Sequence, residues 1–127
     1  VTPFRSMIKY ATDRNLAIRI IMFDSNRNLQ NILFRKDFDK CAGTNKNLKI
    51  IYTITDEENK TQGNTWKGEK GRIDVTMLKR YLNSDDMEKS IFYVCGPPAM
   101  VKSMQYILGA NLQIPAERIK VEEFTGY

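Results

Sequence analysis

The chain has 127 residues, 42% of them hydrophobic, and a net charge of +5 from 20 basic and 15 acidic side chains. This fits one globular domain with one core, and the longest apolar runs, such as Ile20-Ile21-Met22-Phe23, are strand-sized and too short to span a membrane. With no histidine, Ser-His and Cys-His nucleophiles and most zinc sites are excluded; Cys41 and Cys95 have neither metal-ligand spacing nor a CxxC arrangement, so no metal site is expected.

Taken in chain order, Phe4, Met7, Ile8 and Ala11 fall at helical spacing and predict a helix over about residues 3–14. Thr2 suits its N-cap and Pro3 its first position. Ala17 to Phe23 reads as a buried strand, and Phe34, Phe38 and Cys41 mark one face of a helix over about 30–41. Leu48 to Ile54 is a β-branched strand. Residues 56–72 form a long polar connection with Gly63, Gly68 and Gly71 around Trp66, whose ordinary role is to pin such a loop to the body. Val75, Leu78 and Leu82 predict a short helix, and Ile91 to Cys95 a strand. Met100, Val101, Met104, Ile107 and Leu108 make an amphipathic helix bounded by Gly96-Pro97-Pro98 and Gly109. Pro115 precedes a turn, and Ile119 to Phe124 reads as the last strand.

Strands and helices alternating at this spacing predict an α/β domain with a mostly parallel sheet. Basic residues are spread along the chain rather than blocked, which favours a mixed solvated surface over a nucleic-acid-binding one. Two distant cysteines cannot hold an iron–sulfur cluster. A reduced, cytoplasmic protein is the simplest expectation, and any redox chemistry would be carried by a cofactor. At Cys95-Gly96-Pro97-Pro98 a strand runs into a helix start. In an open α/β sheet that is the edge where ligands bind, and the free N–H groups there suit an anion. Equally, the prolines there could simply start a helix over an inert core cysteine.

Five stretches in register resemble the ferredoxin–NADP reductase superfamily. Cys95-Gly96-Pro97-Pro98-x-Met100 is similar to its CGPPxM signature, and Thr2-Pro3-Phe4 to the end of its glycine-rich GxGxTPF turn. Ser25-Asn26-Arg27 resembles its SNR motif, Trp66-x-Gly68-x-x-Gly71-Arg72 a WxGxxGR stretch of one branch, and Glu122-x-Phe124 its C-terminal end. The resemblance implies that residues 1–127 are one NAD(P)-binding domain with a Rossmann-like, doubly wound sheet. It also implies that the sheet's first strand lies outside this chain, as does a preceding FAD-binding β-barrel domain. A sheet without its central strand should carry two open strand edges and should not fold alone.

The resemblance further assigns Thr2 and Pro3 to the pyrophosphate, Ser25, Asn26 and Arg27 to the adenosine end, and Thr55 to the nicotinamide half. Cys95, Gly96, Pro97, Pro98 and Met100 would sit beside the nicotinamide. Phe124 would pack near the flavin, and Glu122, with Cys95, near the reacting rings. A strand-end glutamate is more often a solvated edge charge. The implied activity is transfer of a hydride from NAD(P)H to FAD, with electrons passed on to ferredoxin, flavodoxin or a similar acceptor. The alternative is a non-catalytic nucleotide-binding or docking module. Arg27 and Ser25 tilt the choice of nucleotide slightly towards NADPH, while Asp24 beside them opposes that.

Overall fold

The computed structural model describes residues 2–27, 32, 34–55 and 68–123. The chain divides into two compact units, Val1–Ile73 and Asp74–Tyr127.

In the first unit, helix α1 (Thr2–Asp13) leads to strand β1 (Ile20–Asn26), helix α2 (Arg35–Thr44), strand β2 (Leu48–Ile54) and the two-residue strand β3 (Glu69–Lys70). The three strands form one parallel sheet in the order β1-β2-β3. Alternation along β1 puts Met22 on the helix-covered face, where it joins Ile8 of α1, Phe38 of α2 and Leu48 of β2 in a buried cluster. Phe4, Phe34 and Cys41 close its margin.

The sequence expects β1 to start at Ala17, but pairing begins at Ile20, whose N–H donates to the Asn47 carbonyl at 2.8 Å. Ile18 is half exposed: its side chain is apolar, but no partner strand covers it. The helix α1 takes in Thr2 itself rather than being capped by it. Phe34 stands just ahead of α2 with φ 58°, so α2 starts at Arg35, and residues 30, 31 and 33 of the expected helix lie outside the described residues.

In the second unit, helices α3 (Val75–Tyr81) and α4 (Ser84–Lys89) precede strand β4 (Phe92–Gly96), helix α5 (Pro98–Tyr106) and strand β5 (Ile119–Glu123). Strands β4 and β5 pair in parallel, so every pairing in both sheets is parallel and the fold class is as the sequence predicts. The unanticipated α4 is set by a capping box. The Asn83 side chain accepts from the Asp86 N–H at 2.8 Å, and the Asp86 carboxylate accepts from the Asn83 N–H at 3.0 Å. The end of α5 widens into a π-helical turn over Ile107–Asn111, which absorbs the last apolar residues of its pattern. Among the described residues, β1 has no strand on the edge away from β2, and β4 none on the edge away from β5.

Candidate functional site

The carboxyl ends of β1 and β2 finish level, with Asn26 opposite Ile54. The Thr55 N–H donates to the Asn26 carbonyl at 2.9 Å, with its hydroxyl 3.5 Å from the same oxygen. Thr55 and the Ser25-Asn26-Arg27 segment, expected at opposite ends of a nucleotide, therefore touch directly. Arg27 is exposed, and Ser25 half-buried.

Asp24 lies on the same face as Met22 and is only 4% exposed. One carboxylate oxygen, Oδ1, accepts from the Asn26 amide Nδ2 at 3.0 Å. The other, Oδ2, is buried without a hydrogen-bond partner among the described residues. Burial raises the Asp24 pKa above the usual carboxylate range, and the Asn26 donor opposes part of that rise. Helix α1 carries no acidic residue in its first turn, so its own side chains do not compete with an anion there.

Beyond β2, the fully buried Thr53 donates its hydroxyl to the Gly71 carbonyl. The Gly71 N–H returns a bond to the Ile54 carbonyl at 2.8 Å, and Gly71 sits at φ +92°. The glycine of the WxGxxGR stretch thus fastens a loop to the end of β2, at a dihedral that disfavours other residues. Trp66 lies outside the described residues.

In the second unit, β4 ends at Gly96 and α5 starts within two residues. A Cβ on Gly96 would stand 2.5 Å from the Met100 sulfur, so the first and last residues of Gly96-Pro97-Pro98-Ala99-Met100 pack directly on each other. Pro98 opens α5 where a missing N–H costs nothing, and the Val101 N–H closes the first turn on the Pro97 carbonyl at 3.0 Å. The N–H groups of Ala99 and Met100 are left at the helix start for an incoming acceptor. Cys95 pairs in register with Glu122 of β5, so the two expected catalytic residues stand side by side on one sheet face, Cys95 buried and Glu122 exposed. Phe124 lies outside the described residues.

A glycine-proline turn at the carboxyl edge of a parallel sheet is where such folds hold a dinucleotide. The family described as the oxidoreductase NAD-binding domain matches residues 1–106. The chain belongs to that family.

Over 112 residues this NAD-binding domain is 30% identical to the nitrate reductase [NADPH] of Emericella nidulans, covering 85% of the chain and 12% of that protein. Over 124 residues it is 28% identical to one component of the Na(+)-translocating NADH-quinone reductase of Idiomarina loihiensis, covering 97% of the chain and 28% of that component. In fold it resembles the CS-b5R domains of human Ncb5or in the NAD+ form, at TM-score 0.70 and 18% identity over 91% of the chain and 32% of that structure. It also resembles the Amycolatopsis cytochrome P450 reductase GcoB, at TM-score 0.67 and 17% identity over 93% of the chain and 32% of that structure. The domain spans about an eighth to a third of these relatives.

Within the NAD-binding domain the residues present fit a dinucleotide on structural grounds. A first turn of α1 without acidic side chains suits a pyrophosphate, and the β4–α5 turn leaves the first N–H groups of α5 at its helix start. The sequence reading missed Thr53, which holds Gly71 at the end of β2, and it weighed Asp24 only for the choice of nucleotide, not for its bond to Asn26 within the sheet. The signal for Asp24 was available, because it falls in phase with Ile20 and Met22, where a core strand should carry an apolar residue.

Proposed function

We propose that this domain binds NADH or NADPH and presents the nicotinamide to an FAD held by a preceding β-barrel domain of the same protein. Electrons then pass to a carrier such as ferredoxin or flavodoxin. The observation that carries the proposal is the β4–α5 turn, where the Met100 thioether packs over Gly96 and the register sets Cys95 beside Glu122. The names of the relatives support it: nitrate, quinone and cytochrome reductases differ in acceptor, and two are named for NADPH and for NADH.

When bound, the reduced nicotinamide supplies a hydride and the flavin accepts it. The chain's own part is to bind, orient and exclude water. Thr2, Pro3 and the start of α1 hold the pyrophosphate. Ser25, Asn26 and Arg27 hold the adenosine end, with Thr55 fixing Asn26. Pro97 and Pro98 set the path from β4 into α5, and Gly96 and Met100, packed on each other, shape the turn that receives the nicotinamide. Cys95, small and buried, leaves room for the rings to approach, and Glu122 places a carboxylate at their margin. Phe124 stacks near the flavin. Among the described residues no helix is long and apolar enough to cross a membrane, and Cys41 and Cys95 are free thiols.

The test is Cys95→Leu in the full-length protein. Filling the space beside the rings is expected to leave nucleotide affinity within about threefold and slow flavin reduction about a hundredfold. An unchanged reduction rate would remove Cys95 and its turn from the site.

A further inference from the structure

We infer that Arg118 is a positioning residue: by gripping the end of α4 it sets the register that delivers the Glu122 carboxylate to Cys95. The inference rests on the reading of Cys95 and Glu122 as the margin of the reacting rings and adds what holds them together. Three observations carry it. First, Arg118 ends a single 3-10 turn, Ala116–Arg118, and the next residue, Ile119, opens β5 as the partner of Phe92. Second, its guanidinium forks across the C-terminus of α4. Nη2 donates to the Met87 carbonyl at 2.9 Å and Nη1 to the Ser90 carbonyl at 3.2 Å. A helix leaves its last carbonyls without N–H partners of its own and favours a cation there. Ser90 caps the end of α4 just before β4 opens at Phe92, so the fork ties the start of β5 to the start of β4. Third, β5 has little else to fix its register. Ile119 is half-buried, and Lys120, Val121 and Glu122 are exposed, so among its described side chains no buried face specifies the pairing.

The consequence falls further along the same two strands. In the observed pairing Glu122 meets Cys95, whereas a slip of one residue would bring Val121 or Glu123 there instead. The same slip would turn Glu122 to the other face of the sheet. Arg118 therefore acts on the site through β5, without touching the rings itself. Arginine suits this task, since its planar guanidinium offers donors in a fixed fork, whereas a lysine ammonium is a single point on a flexible stem. Arg118 is also half-buried, which strengthens both bonds relative to a fully exposed fork.

The experiment compares Arg118→Met, Glu122→Gln and the double variant in the full-length protein, by anaerobic stopped-flow reduction of the flavin with NADH and with NADPH. Each single variant is expected to slow reduction about tenfold at saturating nucleotide and to leave the dissociation constant within about threefold. The double variant should be no more than about twofold slower than Glu122→Gln alone, because Arg118 acts through Glu122. Hydrogen exchange of the β4 and β5 amides reads the pairing independently of turnover, and Arg118→Met should speed it about tenfold. If Arg118→Met does not fold, Arg118→Lys takes its place in every comparison, with effects of about threefold. Where Glu122→Gln slows reduction, three results overturn the positioning role alone: an unchanged rate in the Arg118 variant, single effects that multiply in the double variant, or unchanged exchange. A normal rate in Glu122→Gln overturns the reading of Glu122 itself, and the proposal falls with it.

Discussion

Gly96 and Met100 show how a short motif can be a packing statement. The thioether occupies the space that any Cβ at residue 96 would need, at 2.5 Å. Gly96→Ala should therefore push the Met100 side chain aside with little loss of stability, because a methionine tip is flexible. Nucleotide affinity should fall by about tenfold if the turn has to lie bare for the ligand; an unchanged calorimetric titration would contradict this. Asp24 gives a second residue-scale expectation. Its folded-state pKa is raised by burial, so the stability tied to its neutral form is complete below the unfolded value and is lost as pH rises through the folded one. Asp24→Asn lacks that loss. Its melting temperature should match the wild type in acid and exceed it by a growing margin as pH rises through the folded pKa, and a margin that shrinks with pH would refute the assignment.

The elements were legible where their residues carry the whole signal, and blurred where a partner decides. Helix α1 and strand β2 follow directly from apolar spacing, because Ile8 and Leu48 pack on the same cluster that their periodicity marks. Strand β1 was misplaced at its start because Ala17, Ile18 and Arg19 are strand-like, yet β2 offers them no pairing residue before Leu48. The cap of α4 was readable as Asn83 followed by Asp86, but the apolar pattern there is too short to attract attention. Asn83→Ala should cost about 1 kcal/mol by chemical denaturation. The cluster itself predicts a larger effect: Phe38 is 1% exposed, so Phe38→Ala should cost about 3–5 kcal/mol and unfold a marginal domain. A cost below about 1 kcal/mol would mean that Phe38 is not a keystone of this core.

At the scale of the whole molecule, the motifs were legible in sequence but their local wiring was not. Asn26 and Thr55 lie 29 positions apart and join only because β1 and β2 end in register. Cys95 and Glu122 become neighbours through the pairing of β4 with β5. Spacing along a chain carries no such information. The central claim is that this NAD-binding domain feeds electrons from a pyridine nucleotide to a flavin. It is tested most directly by anaerobic reduction of the full-length protein with NADH and with NADPH in parallel, following the flavin absorbance. The account predicts bleaching by stoichiometric amounts of at least one of the two nucleotides. A flavin band that neither nucleotide reduces, or a colourless protein that binds nucleotide without redox change, would contradict it.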